Sequence, residues 1–417
     1  MKRVVITGMG CVSPFGVGVD KTWNALLQGQ SGIRPLSIDV EKQLVKIGGE
    51  VPEFNAEEYV DSKEAKRLDR FILYAIMAAD EAAKSANFDI EKENPYRVGV
   101  VIGSAQGGLY SLTQNHETAL ARGYYKCSPF TVPMMIPNMA AGKVSIRLGA
   151  KGINKAVATA CATGAHSIGD AYRSIQCGDA DVVFAGGSDS KISNFVVGAF
   201  TSAKTLSKRN DGPQKASRPY DKDRDGFVMS EGAAVVVLEE LEHAKARGAN
   251  ILAEIVGYGQ SADAYDMVAP DPEGKGAEYA INAAMKDAGI TKDDVDYINA
   301  HGTSTHVGDI AESKTIERIF GNKNENKKLL VSSTKSMTGH MLGAAGAIEA
   351  IFAIETTMHD IVPPTINLEN QDEEVGDLDY VPNKAREHQV EYALSNSFGF
   401  GGCNAVLIFK KYNERIN

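Results

Sequence analysis

The chain has 417 residues, of which 43% are hydrophobic and 24% are charged, the balance of a folded globular protein long enough for more than one core. Lysine and arginine number 44 against 54 aspartate and glutamate, and the net charge of −10 argues against nucleic-acid binding. No apolar run approaches the ~20 residues of a membrane span and the N-terminus has no signal-peptide pattern, so we predict a cytoplasmic protein that binds neither nucleic acid nor membrane.

Strand-like runs alternate with amphipathic segments of helix length along the whole chain, which predicts an α/β protein with covered sheets. Five strands are predicted in the first part of the chain, at residues 3–7, 98–102, 156–160, 182–185 and 233–238. Five more are predicted later, at residues 251–258, 296–300, 329–333, 392–395 and 405–410. The polar, turn-rich segment 205–231, which precedes the last strand of the first set, is predicted to be a structured cap or loop and not a linker.

Two blocks of sequence share one design, which indicates an internal duplication. Residues 158–187 and 332–364 each contain a strand end rich in Ser or Thr, then Thr-Gly, then a helix of small residues. We therefore divide the chain into an N-terminal half, 1–250, and a C-terminal half, 251–417. If the halves pack as pseudo-symmetric βαβ layers, the chemistry is expected where the strand ends of both halves meet.

Cys161 is the strongest candidate nucleophile among five cysteines that show no metal-ligand spacing. It lies in Thr159-Ala160-Cys161-Ala162, predicted to follow a strand and to open a helix that runs to about Cys177. The positive end of a helix favours a thiolate, and its free N–H groups can hold a carbonyl adduct, so the site suits acyl transfer. The alternative is a buried structural cysteine.

His301 and His340 are candidates for the same site because each precedes a turn or small-residue helix in the C-terminal half. His301 stands in Asn-Ala-His-Gly-Thr, and His340 follows Ser-Met-Thr-Gly. Lys335 precedes His340 by five residues and is predicted to pair with a carboxylate such as Glu349. An isolated histidine or lysine is more often structural or solvated, so the prediction depends on both histidines facing Cys161.

Three glycine-rich stretches differ in what they predict. The turn that contains Phe398 and Phe400 lies between two strands, and its backbone N–H groups could form an oxyanion hole. Gly8-Met9-Gly10 imitates a dinucleotide fingerprint without its third glycine, and residues 103–108 lack the lysine of a phosphate-binding loop. We therefore predict no nucleotide cofactor.

These contexts together resemble the β-ketoacyl-[acyl carrier protein] synthases, most closely the synthase II type. The resemblance covers nearly the whole chain, through VVITGMG, TACATGAHSIGDA, SRPYDKDRDGFVM, INAHGTST, VSSTKSMTGH and LSNSFGFGGCNAVLIFKK. It implies a thiolase fold, a five-layered αβαβα sandwich of duplicated βαβ halves, and a homodimer. It also implies an acyltransferase of fatty-acid elongation, which condenses an acyl group with malonyl-carrier by decarboxylative Claisen condensation and needs no cofactor.

The resemblance assigns a role to each candidate residue. Cys161 would carry the acyl group, while His301 and His340 would bind the malonyl thioester and stabilise its enolate, with Lys335 supporting the pair. Backbone N–H groups of Cys161 and Phe400 would form the oxyanion hole, and the Phe398–Phe400 turn would supply the gate. A structural monovalent cation is implied near three residues, Asn299, Glu349 and Asn396.

Several positions depart from the family pattern. Gln106 stands where an apolar gatekeeper of the acyl pocket is usual, which puts long saturated chains in doubt. His306, Cys403 and Ser230 replace other residues but remove no catalytic group. The residues that match the basic docking surface for an acyl carrier protein are Lys63, Lys66, Arg67, Lys126 and Lys204. Tyr125 replaces a common arginine beside them.

Three alternative functions are weighed against fatty-acid elongation. A ketosynthase of a type II polyketide or polyene pathway shares the fold and the catalytic residues, and Gln106 keeps this alternative open. A catalytically inactive chain-length factor lacks the nucleophile, so Cys161 speaks against it. A non-decarboxylating thiolase normally carries a second cysteine where this chain has the Phe398–Phe400 turn.

Overall fold

Runs of buried β-branched residues form strands, and the amphipathic segments between them form the covering helices. The computed structural model describes residues 1–189, 191–325 and 328–413. The strands in this part of the chain are β1 Val4–Ser13, β2 Gly16–Val17, β3 Arg34–Pro35, β4 Ile47–Gly48, β5 Val98–Gly103, β6 Asn154–Lys155, β7 Val182–Asp189, β8 Gly232–Glu240, β9 Ala253–Ala262, β10 Tyr297–Asn299, β11 Leu330–Ser332, β12 Ile361–Val362, β13 Arg386–Glu387, β14 Tyr392–Gly399 and β15 Cys403–Lys411.

The helices connect these strands and cover both faces of the sheets they form. They are α1 Val19–Leu27, α2 Ser62–Ala65, α3 Arg70–Ser85, α4 Leu109–Arg122, α5 Thr131–Met135, α6 Met139–Leu148, α7 Thr163–Gln176, α8 Asn194–Ser202, α9 Leu241–Ala246, α10 Lys275–Ala288, α11 His306–Phe320, α12 Lys335–Thr338 and α13 Ala345–His359. None of the helices formed by the described residues combines the length and hydrophobicity that crossing a bilayer requires.

The two halves of the chain have the same sheet topology. The strand order is β6-β5-β7-β8-β1 in one half and β11-β10-β14-β15-β9 in the other. The pairing directions match as well, because β5 is parallel to its two neighbours in the first half and β10 is parallel to its two in the second. Residues 4–6 of β1 pair with residues 253–255 of β9 and join the halves. This confirms the predicted duplication.

Five layers result from this arrangement. Helices α3 and α6 cover the outer face of the first sheet, and α10 with α11 beside it covers the outer face of the second. Helices α7 and α13 pack against each other and against both sheets, so they form the middle layer. The predicted thiolase-type αβαβα sandwich is therefore confirmed. The division at residues 1–250 and 251–417 stays a prediction, since β1 and β9 join the two sheets.

The middle layer depends on close contact between α7 and α13. A Cβ atom added at Gly164 would lie 2.6 Å from the backbone nitrogen of Ala347, and one added at Gly346 would lie 2.9 Å from that of Ala165. Real Cβ atoms do not approach backbone this closely. Each helix therefore needs a glycine where it contacts an alanine of the other, and the two glycines occupy equivalent positions of the repeat. The N-termini of α7 and α13 are thereby held side by side between the sheets.

One predicted strand is wrong. Residues 156–160 were expected to form a strand, but β6 pairs with β5 only at Asn154 and Lys155, and the chain then leaves the sheet. The Thr159 N–H donates to Oγ1 of Thr163 at 2.9 Å, and Ala160 adopts φ 48°. The strand ends early because the chain has to turn sharply here. The other predicted strands all overlap observed ones.

The glycines after the first predicted strand lie inside β1, which extends to Ser13. A Cβ atom at Gly8 would lie 2.3 Å from the carbonyl oxygen of Ala82, and one at Gly10 would lie 2.1 Å from that of Ala78. These glycines therefore allow α3 to pack closely on the strand. They lie within a strand and not in a turn between a strand and a helix.

Candidate active site

Cys161 lies in the 3-10 turn Ala160–Ala162, between the end of β6 and the start of α7. Ala160 has φ 48°, a left-handed conformation that L-residues with a Cβ rarely adopt. The turn places the half-buried thiol against a cavity of about 300 Å³ that His301, His340 and Phe400 also line. The structure therefore brings residues from both halves of the repeat together around one thiol.

Leu342 is the structural counterpart of Ala160 in the second half. It too opens a 3-10 turn, Leu342–Ala344, in front of the middle-layer helix, and it has φ 51°. Gly343 therefore occupies the position equivalent to Cys161. The pseudo-symmetry thus gives α7 and α13 equivalent turns before their N-termini, and of the two only the turn before α7 carries a nucleophile.

The pKa of Cys161 corrects the expectation of a favoured thiolate. Burial raises the pKa of this thiol to about 12, although the positive charge of Lys335 and the N–H of Phe400, which points at the sulfur, act in the opposite direction. Loss of hydration outweighs the favourable groups, because a buried charge costs more than nearby dipoles return. The thiol is therefore protonated at neutral pH and needs a proton acceptor when it reacts.

His301 and His340 form a perpendicular pair beside the thiol. Their ring centroids are 5.4 Å apart with the ring planes at 87°. Burial lowers the pKa of both imidazoles well below the usual range, and the charge of Lys335 acts in the same direction. Both rings are thus neutral at physiological pH, and each offers one N–H donor and one acceptor nitrogen. His301 follows β10 directly, as predicted, whereas α12 separates His340 from β11.

Lys335 is buried and bonds to Glu349, as the sequence predicted. Its Nζ also lies 3.4 Å from Nδ1 of His301. An ammonium group has only donors, so Nδ1 is the acceptor nitrogen and the proton of the neutral ring is on Nε2. Lys335 thereby sets the tautomer of His301. Ser217 fixes the backbone of Lys335 by donating to its carbonyl oxygen at 2.7 Å.

Glu312 is a site residue that the sequence reasoning missed. Its buried carboxylate accepts the backbone N–H groups of His301 and Gly302, each at 2.8 Å. Nδ2 of Asn396 donates to the same carboxylate at 3.1 Å. Glu312 therefore holds the turn on which His301 sits. Glu312 and Asp309, one helical turn earlier, both face the interior from α11, and nothing in the sequence distinguishes them from surface acids.

The turn that contains Phe398 and Phe400 packs directly on the Cys161 segment. Gly399 is required there, because a Cβ atom would lie 2.8 Å from the carbonyl oxygen of Thr159 and 3.1 Å from the backbone nitrogen of Cys161. The Phe398 ring lies 5.8 Å from His301, and Phe400 is 38% exposed at the cavity edge. The N–H of Phe400 points at the sulfur of Cys161, so this turn and the nucleophile segment are in direct contact.

Comparison with known proteins identifies the family. The Beta-ketoacyl synthase, N-terminal domain, matches residues 1–244, and the Beta-ketoacyl synthase, C-terminal domain, matches residues 252–369. The chain belongs to the β-ketoacyl synthase family. It is thus a condensing enzyme of the acyltransferase class, as the motifs predicted.

Full-length relatives are named 3-oxoacyl-[acyl-carrier-protein] synthase 2. One from Staphylococcus aureus is 52% identical over 412 residues, which is 99% of both chains. One from Vibrio cholerae is 50% identical over 412 residues, covering 98% of this synthase and 99% of the relative. The resemblance to the synthase II type is therefore confirmed.

Solved structures of ketosynthases superpose on the whole synthase. A beta-ketoacyl synthase from Burkholderia phymatum has a TM-score of 0.91 at 37% identity and covers 99% of this chain and 100% of its own. A type II polyketide ketosynthase, solved with its acyl-carrier protein and bound to the hexaketide, has a TM-score of 0.90 at 33% identity with the same coverage. The thiolase fold is thus shared with both classes.

Asp189 fixes the loop of the synthase that presents Gln106, and the sequence reasoning missed this role too. Its buried carboxylate accepts the N–H groups of Gln106 at 3.1 Å and of Gly343 at 2.6 Å. It also accepts the hydroxyl of Ser104 at 3.1 Å. One carboxylate at the end of β7 therefore connects the loop after β5 to the turn before α13.

The three residues at which a cation was predicted have unpaired buried oxygens. Oδ1 of Asn299, Oε2 of Glu349 and Oδ1 of Asn396 have no hydrogen-bond partner among the described residues. Asn299 pairs with Ser395 in the register of β10 and β14, which places it next to Asn396. The possible ligands are two amide oxygens and one carboxylate oxygen, and the charge of that carboxylate is already balanced by Lys335. Such a set fits a hard monovalent cation.

The five predicted docking residues are all exposed. The side chain of Arg67 lies over the Phe130 ring at 4.6 Å, and this contact joins the α2 region to the segment that follows Lys126. Tyr125 is 82% exposed, with Nζ of Lys126 5.1 Å from its ring. Lys204 directly precedes Thr205, which lines the cavity. The remaining two, Lys63 and Lys66, lie in and directly after α2.

The other departures from the family pattern lie near the site without replacing its groups. Ser230 is buried and donates to the carbonyl oxygen of Thr338 at 2.6 Å, while its N–H donates to the carbonyl oxygen of His340 at 2.9 Å. It therefore supports the His340 segment. Cys403 begins β15, and His306 begins α11 at the surface.

Proposed function

We propose that this chain elongates acyl groups in fatty-acid synthesis as a 3-oxoacyl-[acyl carrier protein] synthase, through an acyl-Cys161 intermediate. The observation that carries the proposal is the meeting of one thiol, two neutral imidazoles and two backbone N–H groups at a single cavity. The full-length identity to synthases of this name supports the substrate class.

In the first half-reaction, the sulfur of Cys161 attacks the carbonyl carbon of an acyl-carrier thioester. The thiol proton passes to a neutral imidazole and from there to the departing carrier sulfur, so the new C–S bond replaces the old one. The N–H groups of Cys161 and Phe400 stabilise the tetrahedral oxyanion. Burial raises the pKa of the thiol and lowers the pKa of both imidazoles, so the proton is transferred only in the substrate complex, as the new C–S bond forms.

In the second half-reaction, malonyl-carrier binds with its thioester carbonyl toward His301 and His340. The bond to the carboxylate carbon breaks, carbon dioxide leaves, and the electron pair forms an enolate. Donor N–H groups stabilise the enolate oxygen, and the tautomer set by Lys335 gives His301 its donor at Nε2. The enolate carbon then attacks the carbonyl carbon of the acyl-cysteine and the C–S bond breaks, which yields 3-oxoacyl-carrier and the Cys161 thiolate. A proton taken up from solvent water restores the thiol and replaces the one that left with the first carrier.

An acyl carrier protein is the proposed partner, docked on the surface formed by Lys63, Lys66, Arg67, Lys126 and Lys204. Exposed cations steer an acidic partner, and their effect weakens as salt screens them. Charge reversal of Arg67 and Lys126 is expected to lower kcat/KM for acyl-carrier at least tenfold at low salt and to leave the reaction of a small acyl-pantetheine thioester unchanged. An equal loss with both substrates would contradict the docking surface.

The monovalent cation and the homodimer are further parts of the proposal. A cation held by Asn299, Glu349 and Asn396 would neutralise their unpaired oxygens and stiffen the strands beneath His301, with no part in the reaction.

Exposed apolar side chains on α4 and α5, such as Leu120 at 65% and Val132 at 59%, support a self-association surface for the proposed homodimer. Sedimentation would measure the oligomeric state. The cytoplasmic location stays a prediction.

A type II polyketide ketosynthase is the second candidate function, favoured by the polar Gln106 and by the structural likeness at 33% identity. The deciding experiment supplies saturated acyl-carriers of increasing length, then malonyl-carrier, and identifies the products by mass. Saturated medium and long chains extended by two carbons support fatty-acid elongation. Extension of only short, unsaturated or oxygenated chains would transfer the assignment to the polyketide class.

A further inference from the structure

Gln106 has a fixed backbone and an unsatisfied side chain. Its N–H is held by Asp189, and the side chain lines the same cavity as Cys161. Oε1 is buried without a hydrogen-bond partner among the described residues. Among the described residues, none holds this oxygen by a hydrogen bond, whereas the backbone of Gln106 is fixed by Asp189.

Gln106 is half-buried, and the segment before it packs against a buried part of the cavity wall. The lining residues Leu342 and Phe227 are each 4% exposed, whereas Val268 and Phe400 are 48% and 38% exposed and mark the open side. A Cβ atom at Gly343 would lie 2.6 Å from the nitrogen of Ala105, so the segment before Gln106 packs against the Leu342 turn. An acyl group on Cys161 occupies the same cavity that Gln106 lines, so its chain can contact the amide.

The amide makes this end of the cavity selective. A buried polar group without a partner is unfavourable, and a saturated hydrocarbon chain that fills the cavity leaves it without one. A hydroxyl group is both donor and acceptor, so it pairs with either end of the amide once the side chain turns. A site with a buried hydrogen-bonding group favours ligands that satisfy it.

We propose that Gln106 is a specificity-determining residue that hydrogen-bonds a hydroxyl group on the acyl chain carried by Cys161. The preferred substrates are then hydroxylated acyl-carrier thioesters, with saturated chains of the same length accepted less well. This inference rests on the proposed function, because it concerns the acyl group that the same thiol receives. It names the substrate class that the family assignment leaves open.

The test compares acylation of Cys161 by pairs of acyl-carrier thioesters of equal length, one saturated and one hydroxylated, with the hydroxyl placed in turn at each carbon beyond the third. The rate of mass gain at Cys161 gives kcat/KM for each substrate. Wild-type protein is expected to favour at least one hydroxylated chain about tenfold, the factor that corresponds to one net hydrogen bond of about 1.4 kcal/mol.

Two variants separate the amide from the shape of the side chain. Gln106→Met keeps the length and removes the hydrogen-bonding groups, so the tenfold preference is expected to fall to about one. Gln106→Asn keeps an amide and is expected to retain part of the preference. A wild-type protein with no preference for any hydroxylated chain, or an equal preference in wild type and Gln106→Met, would overturn the inference. Failure of every chain to load on Cys161 would instead overturn the proposed function.

Discussion

Nζ of Lys335 lies 3.4 Å from Nδ1 of His301 and also bonds to the buried carboxylate of Glu349. One ammonium group thus sets the tautomer of a histidine and balances a charge in the middle layer. Lys335 affects activity through His301 and stability through Glu349. The two effects can therefore be measured separately.

Replacement of Lys335 by methionine is expected to lower condensation at least 100-fold, because His301 loses the group that keeps its donor at Nε2. It also leaves Glu349 buried without a counter-charge, which costs about 3–5 kcal/mol of unfolding free energy. Urea unfolding and product formation measure the two effects. The double variant Lys335→Met with Glu349→Gln is expected to regain stability but not activity. Recovery of both would show that Lys335 acts only in the structure.

An ion-pair cluster far from the active site predicts a pH-dependent stability. His243 contacts Glu239 at 2.6 Å and Glu93 at 2.8 Å. Hydrogen bonding to Glu239 raises the pKa of His243 from 6.5 to about 9. The folded protein therefore holds this proton more tightly than the unfolded chain, so the stabilisation is complete below pH 6.5 and is lost as the pH rises through 9.

The expected change is a decline in unfolding free energy of at most about 1 kcal/mol across pH 6.5–9, because solvent screens a partly exposed pair. Urea titrations at several pH values measure it. His243→Gln should flatten the profile over this window and leave condensation at pH 7 unchanged. An equally steep decline in the variant would assign the pH dependence to other groups.

The proposed cation site predicts that stability depends on which monovalent salt is present. At equal ionic strength, the melting temperature is expected to be a few degrees higher in potassium or sodium chloride than in choline chloride, since a ligand that binds only the folded state stabilises it. Asn299→Leu should abolish the difference in melting temperature, whereas the control substitution Gly198→Ala in α8 should retain it. Identical melting temperatures of the wild-type protein in all three salts would contradict the site.

A glycine in the contact between α7 and α13 and a glycine outside it should respond in opposite ways to replacement by alanine, as measured by the free energy of unfolding. Gly164→Ala places a Cβ atom 2.6 Å from the nitrogen of Ala347, so we expect a loss of about 1–3 kcal/mol from overpacking and slower acylation of Cys161. Gly198→Ala in α8 meets nothing within 4 Å and should gain about 0.5–1 kcal/mol. Equal effects in urea unfolding would show that the two helices can separate at low cost.

Much of the fold could be predicted because its signals are local. Buried strands such as β5 and β8 appear as apolar runs, and the repeat appears as two blocks with the same order of strand, Thr-Gly and small-residue helix. Cys161 and His301 could be found because both stand among small residues, with a helix after Cys161 and a strand before His301. The early end of β6 was missed because Ala156 to Ala160 fit a strand by composition, while the turn is set by tertiary packing.

The supporting residues were harder to predict because their partners are distant in the chain. Glu312 and Asp189 look like surface acids in the sequence, yet both are buried and bind backbone N–H groups of segments that carry His301 and Gln106. The pKa of Cys161 was wrongly expected to be low, since the helix start is visible in the sequence and the extent of burial is not. Electrostatic environment depends on the whole fold.

The most direct test of the central claim is to map the acyl-enzyme. Wild-type protein and Cys161→Ala are each mixed with an acyl-carrier thioester, and intact mass followed by peptide mass locates the acyl group before and after malonyl-carrier is added. We predict one acyl group on Cys161, none on the variant, and its discharge as a 3-oxoacyl product two carbons longer. Acylation at Cys177 or Cys403, or an acyl-Cys161 that malonyl-carrier does not discharge, would contradict the proposed reaction.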